Sequence, residues 1–186
     1  MLDPSHRHLL LTLSRQSIVA GLRENRRVPS PDFAHDGVLD APRASFVTLR
    51  AKGHLRGCCG TLEPQGPLAE GVWRNAWAAA FSDPRFAPLS PDEYPDIDVH
   101  ISVLSPLESL PAMTEQELLR ELRPDVDGLL LQRGAAQATF LPAVWEQVSS
   151  AVEFVRQLKL KAGWTADFWA PDIVAWRYTA ESFGEH

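Results

Sequence analysis

The sequence predicts an α+β fold made of two related hairpin–helix–strand repeats that form two lobes, with an extra helix at the N-terminus. Three observations carry this. Apolar β-type runs meet at tight turns twice, at Lys52-Gly53 and at Arg133-Gly134, which reads as two β-hairpins. A stretch with helical signals follows each hairpin, at residues 67–81 and 151–162, and an extended apolar-rich segment follows each of those, at 97–103 and 173–179. Antiparallel hairpins with helices stacked against them belong to the α+β class.

Asp3-Pro4 supplies an N-cap and a first helical residue, and Leu9, Leu10, Leu13, Ser17 and Ala20 recur at helical spacing, predicting a helix from about Pro4 to Leu22. Residues 23–44 are charged and rich in proline and turn pairs such as Asp36-Gly37, and read as a long surface loop. The first repeat, about 45–105, opens with a hairpin over 46–61. Pro67 suits a first helical position, and Leu68, Val72, Ala76, Ala79 and Ala80 form the apolar stripe behind it. Ile97-Asp98-Val99-His100-Ile101-Ser102-Val103 alternates as a half-buried strand does. Capping boxes at Ser90–Glu93 and Thr114–Glu117 predict two short helices between the repeats. The second repeat, about 126–183, has its hairpin at Gly128–Pro142. A helix follows from the capping box at Ser150–Glu153 to a stop at Gly163, and a strand runs over 173–179. Trp145, Trp164, Trp169 and Trp176 read as core or lobe-interface residues.

A chain of 186 residues fits one domain, 1–186, and can bury roughly 70 % of its unfolded surface without a staple. The net charge of −6 argues against nucleic-acid binding, which needs a basic face. No apolar run approaches the roughly 20 residues that span a bilayer, so no membrane association is expected. Met1-Leu2-Asp3-Pro4 lacks the cations of a signal peptide, and two adjacent cysteines make no disulfide framework. The expected location is cytoplasmic.

The chemistry concentrates in Leu55-Arg56-Gly57-Cys58-Cys59-Gly60-Thr61-Leu62, where the only two cysteines stand between glycines on the return strand of the first hairpin. On a regular strand Arg56 and Cys58 share a face and Cys59 points into the core. One reading makes Cys58 a pocket thiol whose thiolate Arg56 favours. The other makes both cysteines small buried hydrophobes, the commoner fate of free cysteine. Gly57 and Gly60 permit close backbone approach to a ligand. A second group is Asn75 with Ser82-Asp83-Pro84-Arg85-Phe86. As sequence it reads first as helix termination, yet Asp83 and Arg85 can also pair with each other or recognise a polar ligand. His6, His8, His35, His54, His100 and His186 show no metal-ligand spacing, so neither a metal nor any other cofactor is expected. His54 reads as an exposed turn residue, and His100 lies on the polar face of its strand with Asp98 and Ser102.

These segments resemble the AMMECR-type domain family, whose bacterial members are called AmmeMemoRadiSam system protein A. The resemblance rests on Ser45–Leu49, Leu55–Leu62, Pro67–Glu70, Asn75-Ala76, Ala78–Phe81, Asp83–Phe86 and Ile101–Pro106. It continues through Val126–Leu129, Phe140–Pro142, Leu160–Gly163 and Tyr178–Phe183. It implies an α+β fold of two β/α repeats in two lobes, with the hallmark cysteine at Cys58 and an apolar residue usual at the place of Cys59. It also implies neighbours in action, a Memo-type protein and a radical S-adenosylmethionine protein, and brings no established reaction.

Two functions follow. In the first, the chain is an enzyme or enzyme component that binds an unknown small molecule in a cleft between the lobes, centred on Cys58. Arg56, Gly57, Gly60, Thr61, Asn75, Asp83, Arg85 and Phe86 then surround the ligand. In the second, it is a non-catalytic adaptor whose hairpin cysteine is structural and whose working surface lies elsewhere, with the 23–44 loop a candidate. The first carries a geometric expectation: Arg56, Cys58, Asn75, Asp83 and Arg85 converge on one concave, partly exposed site.

Overall fold

In the computed structural model, which describes residues 2–32, 37–111 and 114–185, the first helix, α1, spans Pro4–Glu24. It starts where the sequence places it. Asp3 accepts a hydrogen bond from the His6 amide at 2.8 Å, and the His6 side chain accepts one from the Asp3 amide. It ends at Asn25, whose φ of 51° is left-handed. The buried stripe is Leu10, Leu13, Ser14, Ser17, Ile18 and Gly21, so of the residues expected on it Leu9 is turned toward solvent and Ala20 is only half-buried. The two serines are buried without penalty because Ser14 donates to the Leu10 carbonyl and Ser17 to the Trp73 carbonyl.

The segment after α1 does more than cross the surface. Residues 33–36, with His35 and the Asp36 of the expected Asp36-Gly37 turn, lie outside the described residues. Leu39 is fully buried, and the Leu39 and Ala41 carbonyls accept from the amides of Ala69 and Leu68. Those amides open the next helix, α2 (Leu68–Phe81), which has no side-chain cap. Pro67 stands at the N-cap rather than at the first helical position, because the loop carbonyls already satisfy the donors a helix start leaves open.

Strands β1 (Ser45–Ala51) and β2 (His54–Gly60) form the first hairpin, and β3 (Ile97–Leu104) pairs antiparallel with β1 on its other side. The turn between β1 and β2 places Lys52 and Gly53 at φ 51° and 79°, the left-handed pair that a two-residue hairpin requires. Val47, Leu49, Val99 and Ile101 face α1 and α2, and with Leu10, Ile18, Val72 and Ala76 they make one core. The helix predicted at Ser90 does not form. The Ser90 amide and hydroxyl both donate to Glu93 Oε2, but the Glu93 amide donates to the Ser90 carbonyl rather than to its hydroxyl, and only a three-residue 3-10 turn follows at Tyr94–Asp96. Pro95 has no amide to donate and its ring obstructs continuation.

After a short strand β4 (Glu108–Leu110), the Thr114 capping box opens α3 (Glu115–Glu121). The second hairpin is β5 (Gly128–Arg133) with β6 (Ala136–Phe140), followed by a 3-10 stretch, Pro142–Gln147. Then come α4 (Ala151–Lys161) and β7 (Val174–Tyr178). The order in this sheet is β4-β7-β5-β6. Its core joins Leu129 and Leu131 to Phe154, Val155 and Leu158 of α4, with Trp145 stacked on Phe154 at 4.0 Å between ring centroids.

The chain then returns. A final strand, β8 (Ala180–Gly184), adds to the first sheet to give the order β2-β1-β3-β8. Two compact units result, Met1–Leu104 with Glu181–His186, and Ser105–Ala180. Residues 181–183, expected to close the segment of about 126–183, thus lie in the first sheet. β4 and β8 were not expected as strands; both are short edge strands with too few residues to show a period. No helix among the described residues is long and apolar enough to cross a membrane.

Candidate functional site: a thiol on the helix-free face of the first sheet

The first sheet is two-sided. α1 and α2 cover the face of Val47 and Leu49, and neither packs on the other face. Which residues of β2 lie on which side is set by a bulge. The pairing runs Ala51 with His54 and Arg50 with Leu55, then jumps to Leu49 with Gly57, leaving Arg56 unpaired. Beyond the bulge, Thr48 lies opposite Cys58 and Val47 opposite Cys59. Cys59 therefore packs against the core, and burial next to the Cys58 thiol pushes its own thiol pKa up. Cys58 stands half-buried on the helix-free face, where the Thr48 hydroxyl donates to its sulfur at 3.4 Å.

The row through Thr48 continues across the sheet, because Thr48 is also opposite His100 of β3. Beside His100 lies Gly184 of β8, and a Cβ there would stand only 2.2 Å from the imidazole Nδ1. The missing side chain is what gives His100 its room. Next along the face, the Ser102 and Ser182 hydroxyls share a hydrogen bond of 2.9 Å. Cys58, Thr48 and His100 thus occupy one cross-strand row of three adjacent strands, with strand spacing near 4.8 Å.

At the sheet's edge a second cluster forms. β2 is the edge strand, and the outward Cys58 amide donates to Asp83 Oδ2 at 2.9 Å. Asp83 also accepts from the Arg85 amide, from Arg85 Nε at 3.0 Å and from Arg85 Nη2 at 2.7 Å. Hydrogen bonding to Arg85, reinforced by the Cys58 amide, holds the nearly buried Asp83 carboxyl well below the usual carboxylate range. Arg56, re-aimed by the bulge, forms a two-pronged pair with Glu93 at 2.7 and 3.1 Å and donates to the Ala87 carbonyl. The Arg56 guanidinium lowers the Glu93 pKa to about 2. Phe86 lies between the two guanidinium groups, 5.7 Å from Arg56 Cζ and 5.6 Å from Arg85 Cζ. Arg56 Nη1 is buried and has no hydrogen-bond partner among the described residues.

Arg56, Cys58, Asp83, Arg85 and Phe86 are therefore linked in one network. Asn75 and Thr61 meet at another point. Asn75 is 3 % exposed and donates to the Ser45 carbonyl and hydroxyl, and the Thr61 amide donates to the same carbonyl. A buried amide with its donors spent on β1 ties α2 to the sheet rather than facing a ligand. The two glycines also serve packing. A Cβ on Gly57 would stand 2.0 Å from the Ala79 carbonyl oxygen, and one on Gly60 would enter the Phe46 ring. Their lack of side chain admits α2 and Phe46. His54 is exposed, and His186 lies outside the described residues. Among the described residues no group of three or more His, Cys, Asp or Glu could hold a metal ion.

Thr48 and Glu93 were not anticipated. Thr48 was readable from the alternation Phe46-Val47-Thr48-Leu49, which puts its hydroxyl opposite the apolar face, but its contact with Cys58 depends on the bulge. Glu93 was hidden as the end of a capping box.

The AMMECR1 family model matches residues 11–183 of this chain. The chain belongs to the AMMECR1 family. A protein of Methanothermobacter thermautotrophicus is 39 % identical over 178 residues, covering 95 % of this chain and 92 % of its own length. One of Thermotoga maritima is 40 % identical over 160 residues, covering 84 % and 87 %. The crystal structure of an uncharacterized protein from Pyrococcus horikoshii matches with a TM-score of 0.88 and 30 % identity, covering 95 % of this chain and 90 % of that one. The Arg56-Gly57-Cys58 segment lies inside the stretch that the AMMECR1 model matches.

Proposed function

We propose that this AMMECR1-family chain is an enzyme or enzyme component that binds a small molecule over the helix-free face of the first sheet, with Cys58 as nucleophile or anchoring thiol. One observation carries this reading: of two adjacent half-buried cysteines, one packs against the core while the other sits on the polar face beside a hydroxyl, with an imidazole in the same row. Arg85 is the cation that meets the ligand, since its side chain stays 55 % exposed after pairing with Asp83. Both thiols are free, and a reducing cytoplasm is the compartment that suits such a site.

Iodoacetamide labelling of the native protein at pH 6.5 and 8.5, read by fragment mass spectrometry, tests it. Cys58 should be alkylated in the folded state, faster at pH 8.5, while Cys59 is protected. A Cys58 as inert as Cys59 overturns the reading.

The adaptor reading has its own support. Arg56 with Glu93, and Arg85 with Asp83, largely neutralise each other, as in a clamp that fixes the segment after α2 along the β2 edge. On this reading the chain serves a Memo-type and a radical S-adenosylmethionine protein. Co-purification with such partners that survives Cys58→Ala favours it; no co-purification discards it.

A further inference from the structure

A concave feature of the first unit lies on the opposite side of α1 from its core stripe. It is a groove of about 590 Å³, within the usual range for small-molecule sites. It follows α1 from His8 to Arg23, roughly 22 Å of helix at 1.5 Å per residue. Leu11, Val19 and Ala20 form an apolar floor, and Tyr94 and Glu185 close one side. Leu11 and Tyr94 also pack against the margin of the core and so fix the groove's shape, whereas Val19 and Ala20 are half-buried outside that cluster.

The charge of the groove is one-sided. The only acid among its described lining residues, Glu185, is spent: both carboxylate oxygens accept from Arg15, and one accepts also from the Val99 amide at 2.8 Å. Arg15 in turn lies over the Tyr94 ring at 5.1 Å, fixing that wall. His8 and Arg23, at the two ends, make no ion pair or hydrogen bond with any described residue. In a chain of net charge −6, an apolar trough with an uncompensated cation is a site for the opposite sign.

We infer that this groove binds a small organic anion with an apolar body, an aryl or medium-chain alkyl carboxylate or sulfonate. The apolar part lies on Leu11, Val19 and Ala20, and the anionic head meets Arg23. The site is separate from the Cys58 face and does not depend on that thiol's role.

The probe is 8-anilinonaphthalene-1-sulfonate, titrated by fluorescence against the full chain, with decanoate and decanol as competitors. Saturable binding at one site is expected, displaced by decanoate but at least five-fold less well by decanol. Arg23→Glu should weaken binding about five-fold or more. Gln16→Trp, at an exposed position lining the groove, should fill it and abolish binding. Both variants should melt with the wild type. Arg23 is exposed and unpartnered, so its variant decides the matter alone if Gln16→Trp is unstable. Unsaturable binding, equal competition by decanol, or Arg23→Glu binding as tightly as wild type overturns the inference.

Discussion

Asp83 offers the sharpest test of how the site is held. Asp83→Ala removes the acceptor of the outward Cys58 amide on the edge strand, together with the partner of Arg85. A hydrogen bond to a nearly buried charged acceptor contributes about 1.5–3 kcal/mol. The Arg85 pair adds no more than about 1 kcal/mol, because the guanidinium is over half exposed and water screens it. The expected loss is therefore about 2–4 kcal/mol. At roughly 2–4 °C per kcal/mol for a chain of this size, Tm should fall by about 5–15 °C in a circular dichroism melt. Asp83→Asn keeps the volume and one acceptor and should lose about half as much. The pH dependence has a definite sign. The folded-state pKa of Asp83 is depressed, so its stabilisation is complete above the unfolded value near 3.9 and is lost as pH falls toward the folded value. The gap between wild type and Asp83→Asn should thus be constant from pH 5 to 8 and close below pH 4. Hydrogen exchange at the Cys58 amide supplies a local readout, and this amide should lose protection in Asp83→Ala. An Asp83→Ala protein that melts within 1 °C of wild type and keeps that amide protected would refute the reasoning.

Two further outcomes follow from packing. Gly57→Ala places a Cβ 2.0 Å from a backbone oxygen of α2, which cannot rotate away, so it should cost at least about 1–3 kcal/mol in a denaturant titration, with loss of α2 packing visible by near-ultraviolet circular dichroism. Lys159 is 1 % exposed and donates to Glu115 at 2.7 Å, so Lys159→Met should be neutral or stabilising while Glu115→Gln destabilises, as thermal melts of the two variants can show.

Much of the architecture is local and was readable for that reason. Asp3-Pro4, the Thr114 box, the Lys52-Gly53 turn and the stop at Gly163 act through neighbours a few residues apart, and each appears where the sequence places it. The polar alternation of Ile97–Val103 likewise assigned the two faces of β3. The importance of the Arg56–Thr61 segment and of Asp83–Phe86 was also readable, from residue types alone.

What the tertiary structure decided is who meets whom. Regular pairing from the Lys52-Gly53 turn would set Thr48 opposite Gly57 and turn Cys58 toward the core. The bulge at Arg56 shifts the register by one residue, presents Gly57 to Ala79, and moves Cys58 to the helix-free face. The force behind that shift lies far along the chain, in Glu93 and the Ala87 carbonyl that bind Arg56 and in the Asp83 carboxylate that binds the Cys58 amide. Asn75 shows the same limit, since its place in a helix foretold a bonded amide but not that Ser45 takes it. β8 reaches the first sheet only after the whole second unit has been made. Residue types and short-range spacing fix helices, turns and the candidate chemistry, because their energetics are local; the face on which a strand presents its side chains depends on contacts between segments dozens of residues apart, and only the assembled fold sets it.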